Sequence, residues 1–268
     1  MSDSGTKLVE YRVEEGVAFL TLTNPPANAY SYEMMRQLDE AILRARMDES
    51  VHVLVLAGSG EKFFCAGADI KMLGSVTPTF KYYFCLHANE TLCRLEQTPK
   101  LVIAALNGHT VGGGLEIALA CDLRVARRGA GKLGLPEVNL GVLPGTGGTQ
   151  RLSRVVGKSK SIEMMVTGDA ITFEEAQLLH LVNRVIDAPD ADSFLKEVST
   201  FARSFCPPNK AALAVGRIKR AVQTGWEVPL ESGLGLEREL QQLLFESADA
   251  AEGIGAYNER RRPRFSGK

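Results

Sequence analysis

Two glutamates and a run of small residues are the parts of this 268-residue sequence best suited to do chemistry. Glu116 follows three consecutive glycines, Gly112 to Gly114, in the stretch NGHTVGGGLEIALA. Such a triplet makes a poor strand and a poorer helix, because glycine gives up the most backbone freedom on ordering. What it permits is a turn at positive φ and a close approach to its N–H. A helix starting directly behind it would turn its unpaired N–H groups and positive end the same way. The stretch could then donate to a negative or polarised oxygen. The same letters also fit a tight strand-to-helix connection under close packing.

A second small-residue run, Ala66-Gly67-Ala68, lies in FFCAGADIK and is followed by Asp69, Ile70 and Lys71. Its backbone N–H groups could also donate to an oxygen, or the run could be a packed turn. The third feature is Glu137 in LGLPEVNLGVLPGTGGTQRL, fixed behind a proline in an apolar stretch. Both glutamates thus fall in segments that look buried. Burial without a partner raises a carboxyl above its reference value of roughly 4.3, into the range useful for general acid–base work. Ion pairing with Arg124 or Arg151 is the structural alternative for either one.

Other chemistries lack their residues. Cys65 has no histidine near it in sequence, as a thiol nucleophile would need. GTGGT is not a phosphate loop, no GxGxxG follows the first strand, and GxSxG and HExxH are absent. His52, His87, His109 and His180 stand in unrelated contexts and are expected to be structural. The five cysteines form no CxxC pair and no metal-like spacing with the histidines. They read as reduced thiols, and no metal is expected.

The elements that must position these residues follow from periodicity. LVEYRV and VAFLTLT around the turn at 14–16 predict an antiparallel hairpin. Ser31 can cap a helix whose buried face repeats Met34, Leu38, Ile42 and Ala45. VHVLVLAG, LVIAAL and DLRVA are short apolar runs, expected as strands covered on both faces. A helix is expected from about Thr79 to Leu95, a short one behind the triple glycine, and another from about Thr149. Thr172 and Glu175 form a capping-box signature, and Pro207-Pro208 separates two helical segments. Strand and helix alternate over the first two-thirds and helices dominate the last third, which predicts an α/β core with a helical appendage. No repeat is visible in the sequence.

The bulk numbers exclude several classes. Net charge is −1, with 45% hydrophobic and 24% charged residues, so nothing draws the whole chain to nucleic acid or acidic membrane. The basic cluster ERRRPR at 259–264 is either a solvated tail or a local RNA contact. No apolar run approaches about 18 residues, so no membrane span is expected. MSDSGTKLVEY has neither an apolar leader nor an arginine-rich amphipathic stretch, and a cytoplasmic location is expected.

Taken in order, AGADIK, NGHTVGGGLEIALACDLRVA and LPEVNLGVLPGTGGTQRL closely resemble the crotonase (enoyl-CoA hydratase/isomerase) superfamily. The likeness runs from NPPANAYSYEM to EGIGAYNERRRPRF. The resemblance implies an α/β fold, a crotonase-like spiral of ββα units over 1–200. It also implies a helical trimerisation region over 201–268, giving a homotrimer or a dimer of trimers. It further implies an acyl-CoA thioester substrate with its oxygen held by the backbone N–H groups of Ala68 and Gly113. The coenzyme A moiety would lie near Ala66, Asp69, Ile70 and Lys71, with Tyr257 and Arg260 reaching in from a neighbouring subunit. Family hydratases carry both acids, matching Glu116 as base on water and Glu137 as acid at Cα. No cofactor is implied, since coenzyme A belongs to the substrate. The segment ARRGAGKLG is about one residue longer than usual and has Leu133 where an aromatic is common. The extra residue is expected to be absorbed between Gly129 and Gly131. The helix carrying Phe80, Tyr82, Tyr83 and Phe84 is expected to line the acyl pocket. The alternatives are a dehydratase of a branched 3-hydroxyacyl-CoA, a double-bond isomerase, or a non-catalytic RNA- or protein-binding member.

Overall fold

The structure, a computed structural model, describes residues 6–268. The expectation about a leader at the N-terminus falls partly on residues 1–5, outside the described residues. The chain opens with the expected hairpin, β1 (Val9–Glu14) and β2 (Val17–Leu22), closed by Glu15 and Gly16 at positive φ. That two-residue turn matches the twist of the strands it joins. Ser31 then caps the helix Tyr32–Met47, accepting from Met34 N at 3.3 Å, and Met34, Leu38, Ile42 and Ala45 are buried.

A structural repeat follows that has no counterpart in the letters. Each turn of the chain lays one strand in a large sheet and a short strand in a small one, then crosses back through helical segments. The strands alternate as β3 (Val53–Gly58), β4 (Phe63–Cys65), β5 (Leu101–Leu106), β6 (His109–Val111), β7 (Leu123–Arg127) and β8 (Lys132–Gly134). β9 (Ile171–Thr172) closes the small sheet and β10 (Arg184–Ile186) closes the large one. The large sheet has the order β1-β2-β3-β5-β7-β10, parallel from β2 onward; the small sheet has the order β4-β6-β8-β9. The result is a mixed α/β spiral.

Alternation along the long strands explains why they are apolar throughout. Leu54, Leu56, Val102 and Ala104 face the core between the sheets and the crossover helices. Val53, Val55, Ile103 and Ala105 face a second layer, sealed by Phe194, Val198 and Ala202 of the helix Ala191–Arg203. Both faces are covered, so neither needs polar residues.

Residue 200, the expected edge of the spiral, lies within that sealing helix. Beyond Pro207-Pro208 come the helices Ala212–Gly225, Leu230–Phe245 and Ala248–Asn258. Lys219 ties the first of them to the spiral, with Nζ 2.8 Å from Asp122 Oδ2 and 3.1 Å from the Lys100 carbonyl oxygen. Among the described residues no helix is long and apolar enough to cross a membrane.

Candidate active site

The three glycines before Glu116 serve three different needs. Gly112 holds φ 56° and ψ −133°, a conformation side chains disfavour. A Cβ on Gly113 would collide with the Tyr30 hydroxyl, and one on Gly114 with the Cys65 carbonyl oxygen. The turn therefore packs against two other segments while launching the wholly buried helix Gly113–Leu119. Both descriptions of the triplet hold at once: it is a tight connection, and it leaves the first N–H groups of a helix without intrahelical partners.

The 66–69 segment runs alongside Tyr30 as a single parallel bridge. Tyr30 N–H donates to Gly67 O at 2.8 Å, and Asp69 N–H donates to Tyr30 O at 2.9 Å. Because successive residues of an extended chain face opposite ways, this pairing turns the Ala68 N–H to the side away from Tyr30. On the neighbouring turn, Gly113 N lies 3.0 Å from where a Gly67 Cβ would sit. The small-residue run and the triple glycine are thus brought together. Asn28, buried at positive φ, stitches this corner by donating to Ser59 O and Phe63 O, both at 3.0 Å. Asp69 uses Oδ1 to cap the helix Ile70–Ser75, accepting from Lys71 N at 2.8 Å and Met72 N at 3.2 Å. Ile70 and Lys71 are exposed beside it, while Ala66 is half-buried.

Glu116 is 2% exposed and has no arginine partner. Its Oε1 accepts from Thr146 N at 2.8 Å and Gly148 N at 2.7 Å, and its Oε2 bonds the Thr146 hydroxyl. Glu137 opens a 3-10 turn, Glu137–Leu140, behind Pro136. Its Oε1 lies 3.1 Å from where a Gly112 Cβ would sit, and its buried Oε2 has no hydrogen-bond partner. Burial pushes the Glu137 carboxyl up to about 7; a bond from its own main-chain N–H opposes this and the charge of Glu116 adds to it. The two acids therefore sense one another across the glycine turn.

The arginines offered as structural partners are occupied elsewhere. Arg124 donates to Leu181 O and Cys121 O, each at 2.7 Å, and Arg151 pairs with Glu96 at 2.9 Å. The long ARRGAGKLG segment turns at Gly129 (φ 64°), and β8 still pairs Thr110 with Leu133 and Val111 with Gly134. Leu133 is fully buried.

The helix Pro78–Glu96 turns only part of its aromatic run inward. Phe84 is buried, 5.7 Å from the Tyr30 ring, and Phe80 stacks on it at 6.5 Å. Tyr82 and Tyr83 are 66% and 61% exposed. The inner residue next to Phe84 is Cys85, whose sulfur lies 3.3 Å from where a Gly145 Cβ would sit. Tyr257, 84% exposed, and Arg260 lie at the end of the last helix, and neither bonds to the 66–71 segment of its own chain. Within the basic tail, Arg261 is held by Glu252 at 2.6 Å. Sequence reasoning missed Tyr30, Asn28 and Thr146. Their only signal was a polar residue set among prolines or glycines, in NPPANAY and PGTGG.

Comparison with known proteins finds relatives along nearly the whole chain. A family model described as enoyl-CoA hydratase/isomerase matches residues 12–268. A probable enoyl-CoA hydratase of Bacillus subtilis is 38% identical, covering 97% of this chain and 99% of its own. A crotonyl-CoA hydratase of Syntrophomonas wolfei is 35% identical over 95% of this chain and 96% of its own. A crystal structure of an enoyl-CoA hydratase from Geobacillus kaustophilus superposes with a TM-score of 0.94. It is 44% identical and covers 99% of this chain and 98% of its own.

Proposed function

The chain belongs to the enoyl-CoA hydratase/isomerase family and is an enzyme of that class; from that premise we propose that it hydrates a 2-enoyl-CoA reversibly to a 3-hydroxyacyl-CoA. The observation that carries this reading is the pair of carboxyls in unequal surroundings. Glu116 is an acceptor served by three donors, and Glu137 is held near neutrality by burial with an oxygen unpartnered. Hydration needs one carboxyl of each kind.

In the forward direction Glu116 takes a proton from water as the water oxygen bonds to Cβ. The electron pair of the double bond moves toward the thioester oxygen, where charge develops. Donors aimed at that charge are each typically worth about 10²–10³ in rate, and the N–H groups of Ala68 and Gly113 are proposed for this task. Glu137 gives its proton to Cα. The charge of Glu116 adds to the burial that raises Glu137, in the direction its role as proton donor requires.

The coenzyme A moiety is placed along Ala66, Asp69, Ile70 and Lys71, with Tyr257 and Arg260 supplied by a neighbouring copy in a homotrimer or dimer of trimers. The exposure of Ile218, Val222, Leu234 and Phe245 on the C-terminal helices supports such an assembly. No redox step occurs, so no cofactor beyond the substrate is required. The reaction class fits β-oxidation of fatty acyl thioesters in the cytoplasm. The test is direct: crotonyl-CoA loses its enoyl-thioester absorbance when the protein is added. No loss with crotonyl-CoA or with longer and branched enoyl-CoA esters would overturn the proposal.

A further inference from the structure

Glu116 has more hydrogen-bond donors than its place on the helix requires, and one of them is a side chain. An ionised carboxylate offers about two acceptor sites on each oxygen. Oε1 spends both on the N–H groups of Thr146 and Gly148, at 2.8 Å and 2.7 Å. Oε2 spends one on the hydroxyl of Thr146, leaving a single site open. Thr146 is itself buried, and its Oγ1 lies 3.5 Å from the hydroxyl of fully buried Tyr30. Since the carboxylate can only accept, the Thr146 hydrogen points to Glu116 and its oxygen is free to accept from Tyr30.

Tyr30 is held on every side. Its main chain is paired with the 67–69 segment, its ring packs on Phe84, and its hydroxyl abuts Gly113. The chain Tyr30, Thr146, Glu116 therefore runs from the proposed thioester-oxygen donors to the proposed base. Resting on the hydratase assignment, we infer that the Thr146 hydroxyl, backed by Tyr30, is the positioning group that decides which lone pair of Glu116 Oε2 meets the attacking water. A carboxylate held only through Oε1 could still turn its second oxygen within the site. The hydroxyl stops that motion and leaves one direction open. Orientation of this kind acts on the chemical step more than on binding.

Two substitutions separate this role from simple filling of space. Thr146→Val keeps the branched shape and removes the hydroxyl; Thr146→Ser keeps the hydroxyl and removes the methyl group. With crotonyl-CoA as substrate, Thr146→Val is expected to lower kcat about 10- to 100-fold, the size of a lost hydrogen bond to a charged group. KM should stay close to wild type. Thr146→Ser should recover most of kcat, and Tyr30→Phe should lower it less than Thr146→Val does. In a Glu116→Gln background, Thr146→Val should cost little more, because the two changes remove one interaction. The opposite order, Ser impaired and Val normal, would assign Thr146 to packing and overturn the inference. So would an additive loss in the double variant, or a Val variant with unchanged kcat. Full turnover by Glu116→Gln alone would instead overturn the hydratase assignment itself. Thermal unfolding of each variant identifies losses that come from unfolding.

Discussion

Glu116 sits on a fully buried helix and gives its oxygens to three donors, whereas Glu137 is the half-buried first residue of an otherwise exposed 3-10 turn, with one oxygen unpartnered. The fold gives one type of side chain two different surroundings. Around Glu116 the chain supplies two N–H groups and one O–H group that donate to its oxygens. Around Glu137 it supplies burial and a negative neighbour, which push that carboxyl up to about 7. Two carboxyls of one residue type are thus set apart by burial and by the donors in reach, and the proposed acid and base roles rest on that contrast.

The contrast breaks most visibly at Glu137→Gln. The amide fills the same space and has no acidic proton to give, so kcat on crotonyl-CoA should fall by about 10²–10⁴. KM should change little, since the proposed coenzyme A contacts are elsewhere. Turnover close to wild type would mean that Glu137 is not the acid. Gly113→Ala tests the junction between the two acids. The added Cβ collides with the Tyr30 hydroxyl and pushes apart the proposed donors at 68 and 113. A loss of about 10²–10³ in kcat is expected, with about 1–3 kcal/mol of stability lost to overpacking. Lower stability with normal kcat would confine Gly113 to packing.

The legible parts of the site were those written in contiguous letters. A triple glycine before a glutamate, and a proline before another, can be read because turn, helix start and acid are neighbours in sequence. The long strands were legible for a related reason: apolar runs such as VLVLAG announce cover on both faces. The three-residue strands β4, β6 and β8 were not, because so short a run exists only by stacking on the turn before it. Thr146 and Tyr30 escaped because their local signal, a polar residue among prolines or glycines, does not tell which residue each will meet; they come together across 116 positions of sequence. The aromatic run at 80–84 was only half informative. Composition shows four rings, but helix phase decides that Phe84 faces Tyr30 while Tyr82 and Tyr83 face outward.

The unequal states of the two carboxyls are tested most directly by kcat/KM for crotonyl-CoA as a function of pH, which reports the free enzyme. Burial raises the proton affinity of Glu137, and only its protonated form can serve Cα. The account therefore predicts a rate that falls as pH rises through about 7, and a Glu137→Gln variant whose residual rate lacks that fall. A wild-type profile that keeps climbing well above pH 7, or the same descending limb in the variant, would contradict it.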